Sequence, residues 1–301
     1  MSEIYDLRSF IDRLDSAGQL VRITRPVDLE YELADVAAAL ERRRRPAPLF
    51  ESVRGSDWPI FASAVDNQAR AALALGCERS KVVEVMHHAL EPANCITPVR
   101  VDDAVWKANV VTGDEIDVQK LPIPTHAVGD GGPFITGGVV VSKDPVSGRG
   151  NLSYNRMQVK GPRRFGFNLN EWRHVREFMD VQEAKGEPLQ VAVAIGLDPA
   201  IMISGGVRYP DDELLIAGAI RGRGVRVSRG VTVDVDIPAE AEIVIEGYLG
   251  AHERQAEGPL AEFHGYFGEL WESPVFHVTA VCWRDNPIFQ TLIPGWNEHL
   301  Y

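Results

Sequence analysis

Cysteine and long apolar runs are both scarce in this chain of 301 residues. The three cysteines, Cys77, Cys95 and Cys282, lie far apart without paired spacing, so neither a disulfide framework nor a zinc knuckle is predicted. No uninterrupted apolar run approaches the roughly 20 residues that a membrane-spanning helix needs. The first residues also lack the basic and apolar regions of a signal peptide. These absences predict a soluble protein of the reducing cytoplasm.

Basic side chains are outnumbered, because 31 Lys and Arg face 43 Asp and Glu and leave a net charge of -12. Such a chain would repel phosphate backbones and anionic membranes, so we expect neither nucleic acid nor a membrane as a partner. The one strong basic run, at residues 42–45, follows a helical apolar pattern and is explained as a solvated helix end. Hydrophobic residues at 45% and charged residues at 25% exclude collagen-like, coiled-coil and disordered chains.

Apolar residues at three- and four-residue spacing predict helices in both halves of the chain. In the first half they lie at residues 7–14 and 31–40. In the second half, a helix is predicted over residues 171–185 with Asn170 as its N-cap. A further helix is predicted from residue 211 or 212 to residue 219.

Strand-forming residues dominate after about residue 105. Runs rich in β-branched and aromatic residues predict four strands, at residues 139–141, 189–195, 243–249 and 275–283. The length suggests about two domains, at roughly 150 residues each. We therefore predict a mixed α/β domain over residues 1–104 and a mainly β domain, a barrel or a sandwich, over residues 105–301.

A loop rich in glycine and proline precedes the strand at 139–141. It runs from Leu121 through His126 to Asp130-Gly131-Gly132-Pro133 and on to Gly138. Such a composition predicts a fixed backbone path, either as a cluster of turns that enters a strand or in direct contact with a ligand.

Amide, hydroxyl and guanidinium groups are concentrated just after this loop, in a predicted strand. They belong to Asn151, Ser153, Tyr154, Asn155 and Arg156. The concentration suits an oriented polar ligand, but a surface strand with one polar face has the same pattern. Asn151 and Arg156 would point to opposite faces of an ideal strand, so both line one site only if a bulge or a bend intervenes.

His174 lies near the start of the helix predicted at 171–185, and Glu213 lies in the first turn of the next helix. A helix N-terminus favours the neutral imidazole, which can bind a metal. A structural histidine and a carboxylate that compensates the helix dipole are the alternatives. With Asn151, the two residues supply the amide, imidazole and carboxylate groups that a divalent ion such as Mn²⁺ could share with a phosphate.

Glu257 and Glu262 flank Pro259, which prevents a regular helix, so a tight loop is expected to hold both carboxylates. A carboxylate beside an arginine stays ionised, whereas a carboxyl group in an apolar pocket has a raised pKa and can act as a general acid. Two exposed loop glutamates are the alternative.

Taken in order along the chain, these segments resemble the UbiD family of decarboxylases, which use prenylated FMN. The resemblance implies an α/β N-terminal domain followed by a flavin-reductase-like split β-barrel domain. It implies that Asn151, His174 and Glu213 bind Mn²⁺ or Mg²⁺ beside the cofactor phosphate, with K⁺ nearby. It also places Ser153, Tyr154, Asn155 and Arg156 at the cofactor.

The resemblance further implies a catalytic network of Arg156, Glu257 and Glu262. Glu262 would protonate the product, and Arg156, held by Glu257, would orient the substrate carboxylate. The implied reaction is the reversible, non-oxidative decarboxylation of an aromatic, heteroaromatic or α,β-unsaturated carboxylic acid, with a flavin prenyltransferase as the cofactor supplier. The alternatives are a non-catalytic flavin-binding or scaffold subunit that needs a C-terminal partner, and an FMN reductase of split-barrel type.

Family members continue into a C-terminal α/β domain that supports dimerisation, closes over the active site and supplies a lysine near the phosphate. The sequence given ends at Tyr301 without that lysine. We therefore expect a fragment, a truncated form or one subunit of a split enzyme, with an apolar patch where the closing domain would rest. An oligomer is also expected. The ending at Pro294-Gly295 and Glu298-His299 resembles that of members acting on small hydroxylated or heteroaromatic acids.

Overall fold

A computed structural model of the chain describes residues 3–262, 264–295 and 298. The α-helices are α1 (Leu7–Ser16), α2 (Glu32–Arg42), α3 (Gln68–Leu75), α4 (Val82–Leu90), α5 (His174–Glu183), α6 (Pro199–Gly205) and α7 (Glu213–Arg221). The strands are β1 (Leu20–Ile23), β2 (Ala47–Phe50), β3 (Ile60–Phe61), β4 (Val99–Arg100), β5 (Asn109–Thr112), β6 (Phe134–Ile135), β7 (Val139–Lys143), β8 (Gly150–Tyr154), β9 (Met157–Gly161), β10 (Arg164–Phe167), β11 (Leu189–Ile195), β12 (Arg226–Arg229), β13 (Asp236–Pro238), β14 (Ile243–Glu257), β15 (Trp271–Trp283) and β16 (Phe289–Gln290). No helix within these described residues is long and apolar enough to cross a membrane.

The N-terminal part is mixed α/β, as its sequence predicts. A four-stranded sheet has the order β1-β2-β3-β16. The predicted helices at 7–14 and 31–40 are confirmed as α1 and α2. Helix α1 begins at a capping box, in which the Asp6 side chain accepts from the Ser9 amide and the Ser9 side chain accepts from the Asp6 amide. The first of the arginines at 42–45 is the last residue of α2, the other three follow it, and all four are exposed, as the sequence indicates.

The second part is built on a large sheet with the order β6-β9-β10-β15-β14-β11-β7-β8, and β5 pairs with β15. All four predicted strands are present, although β14 and β15 extend well beyond the predicted ranges 243–249 and 275–283. Alternate residues of β11 lie in two different apolar clusters, one on each face of the sheet. Burial on both faces explains why the sequence of β11 is apolar almost without interruption.

The large sheet is curved, which brings its two end regions together at β8 and β9. Strands β8 and β9 are joined by only two residues, yet five strands lie between them in the sheet order. In a flat sheet these two strands would stand about 29 Å apart. The three virtual bonds from Tyr154 to Met157 span at most about 11 Å. The sheet is therefore strongly curved, which brings the end of β8 close to the start of β9.

The helix predicted at 171–185 starts later than expected, because α5 begins at His174 and ends at Glu183. Asn170, the predicted N-cap, instead accepts a hydrogen bond from the Trp172 amide at 3.1 Å. This Asx turn competes with helical hydrogen bonding and delays the first helical turn. His174 is therefore the first residue of the helix.

A buried polar cluster joins the N-terminal helices to the chain after β16. Asp66 and Arg70 form an ion pair, and Glu41 and Glu298 lie beside them. Glu298 also accepts a hydrogen bond from the Val65 amide at 3.0 Å. Burial, and the neighbouring Glu41 carboxylate, raise the pKa of Glu298 to about 8. The cluster thus contains three carboxyl groups and one guanidinium group. One guanidinium group cannot balance three carboxylates, so the folded state is favoured when protons neutralise the excess negative charge.

We expect Glu298→Gln to weaken the dependence of stability on pH. The pKa of Glu298 is raised from 4.5 to about 8, so between these values the folded chain keeps a proton that the unfolded chain releases. The free energy of unfolding therefore falls as the pH rises through this window. The glutamine stays neutral and should show a smaller fall. Urea unfolding at about pH 5 and about pH 8 measures the difference.

Glu272→Gln is the matched control, because Glu272 is exposed on β15. It should keep the pH dependence of the wild type. A Glu298→Gln protein with the same pH dependence as the wild type would contradict the expectation.

Candidate active site

A cavity of about 160 Å³ lies between β8, the start of α5 and the start of α7. It is lined by Asn151, Leu152, Ser153, Trp172, Arg173, His174, Val207, Arg208 and Glu213. The three residues that the sequence predicts as metal ligands, Asn151, His174 and Glu213, thus face one cavity, although they come from three different elements.

Each of these three side chains is held by its local structure. His174 is the first residue of α5, and its Nδ1 lies 3.0 Å from the Asn151 Oδ1. Glu213 is the first residue of α7, directly after Asp212, whose side chain caps the helix by accepting from the Leu214 amide. The Glu213 Oε2 accepts from the Leu152 amide at 2.7 Å, which ties α7 to β8.

The electrostatics of the cavity suit a bound cation. Glu213 is 1% exposed, and burial raises its pKa to about 8. In the described part of the chain, Glu213 makes no ion pair that would offset this burial. The His174 Nδ1 and the Asn151 Oδ1 lie within hydrogen-bond distance of each other, at 3.0 Å, so an imidazole nitrogen and an amide oxygen are adjacent in the cavity. The residues present therefore fit a divalent ion.

The amide of Asn151 is needed to complete this set. Among the described residues, no three His, Cys, Asp or Glu side chains cluster as a metal site would require. Oxygen ligands with one imidazole are typical of Mn²⁺ and Mg²⁺ rather than of structural zinc.

Residues 151–158 do not form the single strand that the sequence predicts. Strand β8 ends at Tyr154 and β9 begins at Met157, because the chain crosses here from one end of the curled sheet to the other. Asn155 and Arg156 make this crossing. A bulge or a bend is expected between Asn151 and Arg156 if both line one site, because they would point to opposite faces of an ideal strand. The structure has a complete break between two strands at this point.

Arg156 lies at the centre of a second polar group. Its Nε and Nη2 donate to the two carboxylate oxygens of Glu257 at 2.9 and 3.1 Å. Its Nη1 pairs with Glu262. The side chain of Glu257 is fully buried, whereas that of Glu262 is 25% exposed. The two carboxylates therefore differ in exposure and in the number of contacts with Arg156, since Glu257 accepts two hydrogen bonds from it and Glu262 accepts one.

Glu257 and Glu262 do not lie in the single tight loop that the sequence predicts. Glu257 is the last residue of β14, and only Glu262 lies in the loop between β14 and β15. Both carboxylates contact Arg156, so the sequence-based division into one paired and one unpaired glutamate is not observed.

A chain of hydrogen bonds links the two groups. The Ser153 Oγ in the cavity donates to the Asn155 Oδ1 at 2.8 Å. The Asn155 Nδ2 donates to the Asn168 carbonyl at 2.9 Å, and the Asn168 Nδ2 donates to the Glu257 Oε2 at 3.1 Å. The cavity and Arg156 therefore belong to one polar network.

Asn168 is missing from the residues that the sequence singles out. It directly follows β10, and a lone amide after a short strand carries no distinguishing signal. Tyr154, Asn155 and Arg156, in contrast, are predicted cofactor contacts that do not line the 160 Å³ cavity. Tyr154 packs against α6. His299, part of the predicted C-terminal motif, lies outside the described residues.

The sequence matches two family models. The 3-octaprenyl-4-hydroxybenzoate carboxy-lyase Rift-related domain of UbiD matches residues 98–297, and the N-terminal domain of the same carboxy-lyase matches residues 11–90. The chain belongs to the UbiD family. The resemblance inferred from the sequence is thereby confirmed.

Solved UbiD-class structures are similar to nearly the whole chain. An evolved dimeric form of the enzyme HmfF from Pelotomaculum thermopropionicum, in complex with prFMN, is 36% identical with a TM-score of 0.93, over 98% of this chain and 69% of that chain. The apo 3,4-dihydroxybenzoic acid decarboxylase from Enterobacter cloacae is 35% identical with a TM-score of 0.92, over 99% and 66%. The vanillic acid decarboxylase of Sedimentibacter hydroxybenzoicus, in closed form, is 26% identical with a TM-score of 0.94, over 99% and 66%. This chain therefore spans about two thirds of the length of these UbiD-class proteins.

We expect Glu257→Ala to destabilise this UbiD-family chain by about 3 kcal/mol, because it leaves the largely buried Arg156 with only Glu262 as a carboxylate partner. Glu257→Gln keeps the shape and one acceptor oxygen and should cost only about 1–2 kcal/mol. Urea unfolding measures both changes.

Glu269→Ala, at an exposed position of the neighbouring loop, is the control and should change stability by less than about 0.5 kcal/mol. Equal losses for Glu257→Ala and Glu269→Ala would show that the ion pair does not matter to the fold.

Proposed function

We propose that this chain is the cofactor-binding part of a prenylated-FMN-dependent decarboxylase that acts on an aromatic, heteroaromatic or α,β-unsaturated carboxylic acid. The observation that carries the proposal is Arg156, which sits between Glu257 and Glu262 in a polar network that reaches the cavity of Asn151, His174 and Glu213. Membership of the UbiD family and the prFMN-bound relative support it.

The curled sheet is the flavin-binding scaffold in this proposal. Within the described residues β8 pairs with neither β6 nor β9, although the two-residue connection joins the end of β8 to the start of β9. This open seam is what a flavin-reductase-like split β-barrel requires, and the predicted domains at 1–104 and 105–301 remain part of the proposal.

Asn151, His174 and Glu213 would hold Mn²⁺ or Mg²⁺ beside the cofactor phosphate. A divalent ion would replace the proton that burial otherwise favours on Glu213. Arg173 and Arg208 line the same cavity and add positive charge for the phosphate. K⁺ is proposed nearby, and Ser153, Tyr154 and Asn155 are proposed to contact the cofactor.

Three side chains divide the chemistry at the other end of the network. Arg156 binds and orients the substrate carboxylate, and the fully buried Glu257 keeps its guanidinium in place. Prenylated FMN, when bound, supplies an electron sink for the pair left behind when the bond to the carboxylate breaks and CO₂ leaves. Glu262, the more exposed of the two carboxylates, would leave Arg156, take up a proton from water and deliver it to the substrate carbon that carried the carboxylate. The reverse sequence takes up CO₂.

A C-terminal region, in the same chain or as a separate subunit, is proposed to cover this site. Tyr266, Leu270 and Trp271, on or next to the loop that carries Glu262, are 75%, 65% and 56% exposed. Large apolar side chains so close to one another are typical of a covered surface. The relatives are longer than this chain by about half its length. An oligomer and a flavin prenyltransferase that supplies the cofactor complete the proposal.

We expect Mn²⁺ to stabilise the wild type but not His174→Ala, because the variant removes one of three ligands. At a Mn²⁺ concentration of about 100 times the Kd, binding should add about 2.7 kcal/mol to the free energy of unfolding. Thermal unfolding with and without the ion, in the absence of flavin, measures this. His87→Ala, at a 77% exposed histidine of α4, should keep the full effect. Equal stabilisation of His174→Ala and His87→Ala would remove the metal assignment.

We expect CO₂ release when the chain, alone or with a C-terminal partner from a relative, is loaded with prenylated FMN and given a panel of unsaturated acids. The panel includes 3,4-dihydroxybenzoic acid, vanillic acid and a furan carboxylic acid. Glu262→Gln keeps the shape but lacks the acidic proton, so turnover should fall by roughly 100-fold while flavin binding survives. Product identity and CO₂ are measured together.

The alternatives give different results in this assay. Flavin binding without turnover under both conditions would support the non-catalytic subunit, and oxidation of a pyridine nucleotide without CO₂ would support an FMN reductase. A Glu262→Gln protein with nearly normal turnover would remove Glu262 as the proton donor.

A further inference from the structure

We propose that Asp130 is a positioning residue for Glu262 and that it acts through the backbone amide of Ala261. The inference rests on the proposed function, since it names the group that holds the proposed proton donor in place. It assigns a role to the glycine-rich sequence around Asp130, which the proposed chemistry otherwise leaves unused.

The loop that carries Glu262 is closed mainly by its own backbone. The Glu262 amide donates to the Tyr266 carbonyl at 2.8 Å, and the Gly268 amide donates to the Leu260 carbonyl at 2.9 Å. These bonds fix the shape of the loop. They do not fix the position of the loop on the protein, which depends on the ion pair of Glu262 with Arg156 and on contacts of the loop backbone with neighbouring residues.

Asp130 provides one such contact with one of its two oxygens. Its Oδ1 accepts from the Ala261 amide at 3.0 Å. Its Oδ2 accepts from the amides of His126 and Ala127 at 3.1 and 2.8 Å. One carboxylate therefore fixes the turn at 126–130 and holds the residue next to Glu262.

The turn at 126–130 is itself anchored in the core. The His126 side chain is buried, and its Nε2 lies 3.2 Å from the Thr291 hydroxyl. The Thr136 hydroxyl donates to the Leu292 carbonyl at 2.6 Å and completes this group. Burial lowers the pKa of His126 to about 3, so the ring is neutral. Asp130 thus projects from a rigid base.

The turn at 126–130 packs closely against the loop that carries Glu262, and this packing explains why residues 129 and 131 are glycines. A Cβ atom at Gly131 would collide with the Gly258 carbonyl, and one at Gly129 would collide with the Phe267 ring. The Gly131 amide also donates to the Pro259 carbonyl at 2.8 Å. Backbone can approach backbone here only because these positions lack side chains. The two loops therefore form one unit, and Asp130 is its carboxylate link.

Asp130→Asn tests the link with little change of volume. An amide has one acceptor oxygen where the carboxylate has two, so the asparagine can serve the turn or Ala261 but not both. We expect amide exchange at Ala261 and Glu262 to become about 10-fold faster in the cofactor-free protein. Asp144→Asn is the control, because Asp144 also accepts from a backbone amide and a hydroxyl in an exposed turn, at Val146 and Ser147. It should leave exchange at Ala261 and Glu262 unchanged.

Turnover distinguishes positioning from a general effect on folding. In the active, prenylated-FMN-loaded form, Asp130→Asn should lower kcat by about 10-fold while KM changes by less than about 2-fold. In the Glu262→Gln background the same substitution should have no further effect on kcat, since it acts through Glu262. If the fold-losses of kcat in Asp130→Asn and Glu262→Gln multiply in the double variant, the proposal is overturned.

Unchanged exchange at Ala261 in Asp130→Asn also overturns the proposal, whatever the activity. Faster exchange with an unchanged kcat overturns it as well, because the contact would then have no bearing on Glu262. An inactive wild type contradicts the proposed function instead, since exchange is measured without cofactor or substrate.

Discussion

The two-residue connection between β8 and β9 is the constraint on which the rest of the site depends. Because these strands belong to opposite ends of the same sheet, the short connection forces the sheet to curl. The curl places Arg156, in the connection between β8 and β9, within hydrogen-bond distance of Glu257, the last residue of the long strand β14. It also leaves Asn151 and Ser153 on β8 facing a separate cavity. One covalent constraint thus sets both ends of the polar network.

Three glutamates illustrate how partners decide the state of the same side chain. Glu257 is fully buried but paired with Arg156, so its charge is compensated. Glu213 is also buried but makes no ion pair with the described residues, and burial raises its pKa to about 8. Glu262 shares Arg156 yet remains partly exposed. These environments support the proposed roles of a fixed partner, a metal ligand and a proton donor, which the family resemblance implies.

The sequence predicts local features of this protein better than long-range ones. Strand β11 and helices α1, α2 and α7 follow from periodicity, because each buries a regular apolar pattern. The start of α5 does not, since an Asx turn at Asn170 overrides the expected cap. The convergence of His174 and Glu213 on Asn151 was predictable only through family resemblance. Asn168 and Asp130 join the site through tertiary contacts that no local pattern encodes.

The pairing of β16 with β3 has a consequence for how the chain is made. These strands lie side by side in the N-terminal sheet, although β16 comes almost last in the chain. When the N-terminal part leaves the ribosome, the edge of β3 is therefore still unpaired, and it stays so until nearly all of the described chain has been translated. An unpaired edge of this kind readily pairs with other chains. The first sheet can therefore be completed only after β16 has been translated, and chaperone protection during translation would matter most for these early residues.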